Sequence, residues 1–257
     1  MKFDRSLLTF NPSNHGHYYD GRRCLGVTTA LSAISKGDGL VQWAVNCALE
    51  YARANVPGPA DYPILGTPEQ FQEDLEIVYT GAKYAWKEKR DEAASIGTQA
   101  HNWIESYLKG EDPPWPVNPQ VCRTCEAAVE WIKSVKWVTK KIEHQIYIPE
   151  LGVAGICDWF AEINGVLAVP DWKTSKELRS SYAYQTAAYL KALENEFDVI
   201  IPDRWLIRID KETGSVEPRL LPREDLEKDY QAFESSVHIY RREAELKRLW
   251  QNTKSGQ

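Results

Sequence analysis

The stretch Gly155-Ile156-Cys157-Asp158, followed by Val169-Pro170-Asp171-Trp172-Lys173-Thr174, decides how this sequence folds. Apolar residues surround both stretches and predict two strands that are buried rather than solvated. The dipeptide Asn164-Gly165 between them is the strongest short signal for a β-hairpin. A hairpin at that point brings Asp158 and Asp171 together across adjacent strands. The sequence therefore predicts two carboxylates on one sheet.

Lys173 adds a positive charge to the same face, because side chains two residues apart on a strand point the same way. Two carboxylates and an ammonium are costly to bury without compensation. A hard divalent cation such as Mg²⁺ supplies it, and a lysine beside that ion can orient an attacking water. The pattern indicates metal-assisted phosphodiester hydrolysis. A solvated strand with alternating polar residues stays open, since Asp-x-Lys alone is common by chance.

Two predicted helices carry further polar pairs. His101 and Glu105 follow Gly97-Thr98-Gln99-Ala100 and share a helical face, as do Gln185 and Tyr189 later in the chain. Imidazole is a good ligand for Mn²⁺ and a tolerable one for Mg²⁺. An amide and a phenol can hold metal-site residues or a phosphate. A surface His–Glu pair and an ordinary core helix explain the same residues without a metal.

Taken in chain order, these motifs resemble those of the PD-(D/E)XK nuclease superfamily, in its RecB-like and phage-type exonuclease branch. The matching order is a helix with Gly-Thr-x-x-His, a strand with Gly-x-x-Asp, a strand with Asp-x-Lys-Thr and a helix with Gln-x-x-x-Tyr. The resemblance covers residues 97–189, with a looser likeness around residues 26–44. It implies an α+β fold with a restriction-endonuclease-like core, a mixed central β-sheet flanked by helices, and a mostly helical N-terminal half.

The resemblance also implies roles for individual residues. The expected metal ligands are His101, Asp158, Asp171 and the backbone carbonyl of Trp172. The expected catalytic residues are Asp158, Asp171, Lys173, Gln185 and Tyr189. Glu105 and Glu143 are expected to act around these ligands or at a second ion. Contacts to nucleic acid are expected from Thr174, Lys176, Arg179 and Gln185.

The cofactor expected from the resemblance is one or two Mg²⁺ or Mn²⁺ ions. An iron–sulphur cluster, which some RecB-like proteins hold, is not expected, because the chain has no cysteine after Cys157. Cys122 and Cys125 form a lone Cys-x-x-Cys pair, which is too small a set for a zinc site. The five cysteines in all favour a reducing, cytoplasmic location.

The amino-acid composition narrows the classes of protein to which this chain could belong. With 43% hydrophobic and 26% charged residues, the 257-residue chain is typical of a globular domain, and neither a secretion signal nor a membrane span is expected. A formal net charge of −6 excludes a coat protein that binds nucleic acid through bulk positive charge. The ten tryptophans are expected mostly to pack the core, while some could stack on unpaired bases.

We expect one nuclease domain over residues 1–257, with a helical portion (1–96), a catalytic core (97–221) and a C-terminal helix (222–257). The first 26 residues are predicted to be irregular, and the long helix that ends at Leu108 is predicted to pause near Gly97. The expected activity is that of a DNA exonuclease acting on single-stranded or processed ends, as a monomer or a homo-oligomer. A structure-selective endonuclease of the same fold, and a catalytically silent nucleic-acid-binding protein, are the alternatives.

Overall fold

The computed structural model describes residues 3–34, 39–56 and 67–254 of the chain. Contacts divide the chain into two compact units, one formed by Met1–Ile34 and Gln99–Gln257 and the other by Ser35–Thr98. The expected single nuclease domain and its three ranges stay a prediction. In the described ranges, none of the helices is both long and apolar enough to cross a bilayer.

Along the described residues, four short strands are followed by four helices, three strands, a helix, two strands and a final helix, which is an α+β order. The strands are β1 (Leu8–Asn11), β2 (Gly16–Tyr19), β3 (Arg22–Arg23), β4 (Leu25–Gly26), β5 (Trp137–Ile148), β6 (Val153–Ile163), β7 (Val166–Lys173), β8 (Asp203–Ile209) and β9 (Val216–Leu221). The helices are α1 (Val27–Leu31), α2 (Gly39–Asn55), α3 (Pro68–Leu108), α4 (Pro119–Ser134), α5 (Ser180–Phe197) and α6 (Leu226–Lys254).

The larger unit is built around a mixed six-stranded sheet. Its order is β4-β6-β7-β8-β9, and β5 pairs with β6 along nearly the whole length of both strands. β5, β6 and β7 form an antiparallel meander, and β7 then pairs in parallel with β8. That parallel pair requires a crossover, which α5 provides. The expected mixed central sheet flanked by helices is confirmed.

The two faces of this sheet bury different side chains. One face packs on α1, α5 and α6 through a core that includes Val153, Leu190 and Phe233. On the other face, Trp131 of α4 meets Trp172 of β7 edge to face, with the ring centroids 5.6 Å apart. Side chains that alternate along a strand point to opposite faces, so Trp172 points away from Asp171 and Lys173.

The N-terminal segment differs from the expected irregular structure. β1, β2 and β3 form a small antiparallel sheet, and β4 joins the central sheet in parallel with β6. Each of these strands has four residues or fewer, which is too short for an alternating pattern to be visible in the sequence. The expected pause near Gly97 is also wrong, because α3 continues through it to Leu108.

The smaller unit contains α2 and the first part of α3. α2 begins and ends within one residue of the range that its apolar spacing predicts. The Nζ of Lys89 lies 2.6 Å from a carboxylate oxygen of Glu50. A Cβ added to Gly81 would overlap the ring of Tyr51, so glycine permits close packing at that point.

Arg204 on β8 is a charged residue in the interior of the larger unit. Its side chain is 1% exposed, and it donates a 2.8 Å hydrogen bond to Asp229 of α6 and a 3.0 Å bond to the carbonyl of Ala183. This ion pair ties the start of α6 and the first turn of α5 to the sheet. A buried pair contributes little in net terms, yet the loss of one partner leaves the other charge uncompensated.

We expect Asp229→Ala to reduce the free energy of unfolding by about 3–5 kcal/mol, because it strands the Arg204 guanidinium inside the protein. Urea denaturation followed by circular dichroism measures the change. Asp225→Ala is the matched control: Asp225 pairs with Lys228 at 2.8 Å on the surface, where a pair contributes only about 0–1 kcal/mol. Equal effects of the two substitutions would contradict the role given to Arg204.

Candidate active site

The candidate site lies where β6 and β7 separate. The two strands pair only beside their turn, from Ala161–Ile163 to Val166–Ala168. At the other end of β6, β4 runs alongside Val153 and Ala154. Asp158 lies between these two stretches of pairing, where the backbone of β6 has no strand partner on that side. An open position of this kind can hold polar side chains within a buried sheet.

Asp158 bridges the gap between the separating strands. Its Oδ2 accepts a 3.2 Å hydrogen bond from the backbone N–H of Trp172 on β7. The same oxygen lies 3.5 Å from Nδ1 of His101, which α3 brings to the site. The backbone carbonyl of Trp172 also interacts with His101 and raises the pKa of its ring, against the larger effect of burial. Three of the expected ligand positions therefore meet at this point.

Asp171 is completely buried beside them. Lys173 forms an ion pair with its Oδ2, while Oδ1 has no hydrogen-bond partner among the described residues. Burial raises the pKa of Asp171 to about 7, and the charge of Asp158 adds to this, whereas Lys173 opposes it. A buried carboxylate with a free oxygen is costly, and native proteins keep such groups mainly where function requires them.

The cationic neighbours respond to the same two carboxylates. Burial lowers the pKa of Lys173, but Asp171 and Asp158 together outweigh it, so the net change is a rise. Burial lowers the pKa of His101, and the charge of Lys173 lowers it further against the opposing effect of Asp158. The site therefore combines a charged ammonium with an imidazole that favours its neutral, ligating form.

Glu143 and Glu105 lie at the edge of this group. Burial raises the pKa of Glu143 to about 8, with further contributions from the charges of Asp158 and Glu105. Glu143 has a φ of +46°, in the left-handed region that non-glycine residues rarely adopt. Glu105 is half-buried and forms an ion pair with Lys109. Glu105 lies on α3 and Glu143 on β5, so no local helix or strand spacing predicts that the two carboxyls come together.

Gln185 and Tyr189 of α5 cover the carboxylates from the helix side. Both are buried, and the Gln185 amide donates a 2.9 Å hydrogen bond to the Tyr189 hydroxyl. Asp171 and Asp158 are close enough to Tyr189 to raise its pKa, in addition to the larger effect of burial. Gly155 makes this approach possible, because a Cβ there would lie 3.0 Å from both Tyr189 and Val27.

The expected nucleic-acid contacts follow β7 in the loop that leads to α5. Lys176 and Arg179 are exposed and Thr174 is half-buried. Arg208 on β8 donates a 3.1 Å hydrogen bond to the carbonyl of Lys176, which anchors this loop to the sheet. Binding of nucleic acid by these residues stays a prediction.

The tryptophans near the motifs mostly pack the interior. Trp159 and Trp172 are buried and stack on one another with their ring centroids 6.2 Å apart. Trp103 is also buried, and its indole N–H donates to the carbonyl of Pro114 at 2.9 Å. Trp115 is 54% exposed and stacks on Trp103 at 4.6 Å. Trp159, Trp172 and Trp103 thus belong to the core.

Sequence reasoning missed Tyr182, whose ring lies 4.8 Å from Nζ of Lys173. Tyr182 shares a helical face with Gln185 and Tyr189, at spacings of three and seven residues. That spacing was available in the sequence, but a tyrosine in the first turn of a predicted helix carries no chemical signal until the position of Lys173 is known.

The gathered residues do not form a complete set of metal ligands in this conformation. Within residues 3–34, 39–56 and 67–254, no three His, Cys, Asp or Glu side chains converge in the arrangement of a metal site. His101 and Asp158 meet, whereas the carboxylate of Asp171 pairs with Lys173 instead. The expected ligands are therefore neighbours whose donor atoms are not directed at one point.

Comparisons with known proteins add little information on the function of this site. No protein-family model and no curated protein matches the chain. A solved structure from Eubacterium rectale, provisionally called an exonuclease, aligns with a TM-score of 0.41 at 11% identity over 57% of this chain and 68% of that one. The structure of a protein named SSO0001 aligns with a TM-score of 0.33 at 16% identity, over 78% and 86% of the two chains. Neither likeness supports a statement about the function of this chain.

We expect Gly155→Ala to reduce the free energy of unfolding by about 1–3 kcal/mol, because the new Cβ presses on the Tyr189 ring and on Val27. Thermal and urea denaturation measure the change. Gly39→Ala is the control, since a Cβ there meets no atom within 4 Å. Unchanged stability of Gly155→Ala would show that glycine is not needed for the approach of α5 to β6.

Proposed function

We propose that this chain is a Mg²⁺- or Mn²⁺-dependent deoxyribonuclease of the RecB-like PD-(D/E)XK kind. The observation that carries the proposal is the environment of Asp171: a completely buried carboxylate with one oxygen unpartnered, next to Lys173 and facing Asp158. A buried carboxylate oxygen without a partner is costly to keep. The free oxygen supports a carboxylate kept for a cation.

The donor groups gathered around Asp171 are of the chemical types that a divalent ion of that kind binds. Asp158 and Asp171 offer carboxylate oxygens, which Mg²⁺ and Mn²⁺ prefer, and His101 offers an imidazole that Mn²⁺ accepts readily. The carbonyl of Trp172, beside His101, is a fourth donor group. Glu143, whose charge interacts with those of Asp158 and Glu105, is the candidate to serve a second ion together with Glu105. A cation here would also offset the burial, and the smaller repulsion between carboxylates, that raise the pKa of Asp171 to about 7 and that of Glu143 to about 8.

An ion held by His101, Asp158 and Asp171 would make a bound water a better nucleophile and would stabilise the charge that develops on the phosphate. The protein's own part is to fix positions. Asp158 is held by the Trp172 N–H, and Asp171 is held by its place on a strand paired on its far side with β8. Lys173 orients the attacking water and offsets phosphate charge. Gln185 and Tyr189 keep the carboxylates from turning into the core.

The proposed substrate is DNA, attacked from an end that is single-stranded or has been processed. The chain carries a net charge of −6, so phosphate contacts have to come from local cations such as Lys176 and Arg179. Both side chains are exposed in the loop that directly follows Lys173. A strand that reaches Lys173 from this side passes both of them.

We expect Asp171→Asn and Lys173→Met each to reduce DNA hydrolysis by about 10²-fold or more, because each removes a group that acts in the transition state. The assay uses end-labelled single- and double-stranded DNA with Mg²⁺ and, separately, with Mn²⁺. The controls are Asp225→Asn and Lys228→Met, which alter an exposed ion pair of the same residue types.

Absence of hydrolysis by the wild type with both metals would refute the proposed activity and favour a silent nucleic-acid-binding protein. Full activity of the Lys173→Met protein would refute the role of the site even if DNA were cleaved.

We expect a circular single-stranded DNA to remain intact under conditions in which a linear DNA of the same sequence is degraded, because an exonuclease requires an end. Gel electrophoresis of both substrates after incubation with Mn²⁺ gives the result. Cleavage of the circle at a rate similar to that of the linear strand would replace the exonuclease by an endonuclease of the same fold.

A further inference from the structure

Lys173 has two partners, and a metal ion on Asp171 would weaken its bond to one of them. Its ammonium forms an ion pair with Oδ2 of Asp171, and it also lies 4.8 Å from the centre of the Tyr182 ring. The Lys173 side chain is 13% exposed, so water offers it little compensation. The position of this ammonium therefore depends on two side chains from different elements, β7 and α5.

A divalent cation on Asp171 and the ammonium of Lys173 compete for the same carboxylate. Two positive charges within about 4 Å repel strongly in a site of low dielectric constant. An ion on the free Oδ1 of Asp171 would therefore weaken the ion pair between Oδ2 and Lys173. The backbone of Lys173 is fixed by pairing with Arg208 of β8, so only the side chain can move.

Tyr182 is fixed where it can receive that ammonium. Its backbone N–H donates a 3.0 Å hydrogen bond to the carbonyl of Arg179, and its carbonyl accepts a 3.1 Å bond from the hydroxyl of Thr186. The next residue, Ala183, accepts a 3.0 Å bond from the buried Arg204. The backbone of Tyr182 therefore does not depend on Lys173 for its position.

The face of an aromatic ring suits an ammonium that must stay charged and reactive. It attracts the cation through the ring quadrupole, and it leaves the N–H donors free for water or phosphate. A second carboxylate in the same place would bind the ammonium more tightly and occupy those donors. The ring thus holds Lys173 near the reacting atoms without neutralising it.

We propose that Tyr182 is a positioning residue: its ring face holds the Lys173 ammonium when a divalent cation on Asp171 weakens the Asp171–Lys173 ion pair. This inference rests on the proposed function, since it requires a metal ion on Asp171. It adds that binding of the metal ion to Asp171 and the position of the Lys173 ammonium are coupled. Tyr182 acts through Lys173 and makes no contact of its own with the ion.

The test is a double-mutant cycle with Mn²⁺ alone, read by calorimetric titration of the full chain without DNA. Tyr182→Leu should weaken Mn²⁺ binding about five- to thirtyfold, because the ammonium then lacks the ring that stabilises it when the ion weakens its pair with Asp171. Lys173→Met should tighten it at least about tenfold, because the competing charge is gone. In the Lys173→Met background, Tyr182→Leu should have no further effect. Tyr182→Phe keeps the ring and should bind Mn²⁺ like the wild type.

Equal loss of Mn²⁺ affinity on Tyr182→Leu with and without Lys173 would overturn the inference, because the tyrosine would then act on the site by another route. Loss of affinity in Tyr182→Phe would overturn it as well, since the hydroxyl and not the ring face would be needed. Failure of the wild type to bind Mn²⁺ would refute both this inference and the proposed metal dependence. Normal Mn²⁺ binding with an additive cycle would refute this inference alone.

Kinetics supply a second readout if the wild type hydrolyses DNA. Tyr182→Leu should lower kcat while KM for DNA stays within about twofold, because Lys173 acts on the reacting water and not on strand binding. Tyr182→Phe, which keeps the ring, should have the kcat of the wild type. A rise in KM with unchanged kcat would assign Tyr182 to substrate binding instead and would overturn its positioning role.

Discussion

The burial of the Asp171 carboxylate beside Lys173 is the constraint on which the rest of the larger unit depends. A charge pair of this kind persists in an interior only if the surrounding elements hold it rigidly and supply nearby polar groups. β7 does the first, because it is paired with β8 over the whole stretch from Ala168 to Lys173. The nearby polar groups are supplied by Asp158, His101 and the Gln185–Tyr189 pair. The separation of β6 from β7 gives these groups room.

Much of this arrangement follows from the sequence, and the reasons can be named. The turn at Asn164-Gly165 and the apolar runs beside it predict the β6–β7 hairpin, which directs Asp158 and Asp171 towards each other before the two strands separate. Helical spacing predicted that Gln185 and Tyr189 share a face, and the structure has them hydrogen bonded at 2.9 Å. Local rules sufficed because each of these pairs lies within one hairpin or one helix.

The features that sequence reasoning missed depend on contacts between distant parts of the chain. β4 is only two residues long, and its parallel pairing with Val153 and Ala154 leaves no periodic trace. The left-handed backbone of Glu143 and the burial of Arg204 are set by tertiary packing against β6 and α6. A role for Tyr182 can be inferred only from the position of Lys173, which lies on another element, β7. Trp159 and Trp172 lie next to expected ligands in the sequence but point into the core, because neighbours on a strand face opposite ways.

The pairing of β4 with β6 also has a consequence for synthesis on the ribosome. Leu25 emerges long before its partner Val153, and at about 5–20 residues per second the wait is on the order of ten seconds. During this time the first segment of the larger unit has no sheet to join, while Ser35–Thr98 forms a compact unit of its own contacts. Gly155, which packs on Val27 and Tyr189, can reach its final contacts only after α5 has been made. The carboxylate site would thus be among the last parts of the chain to assemble.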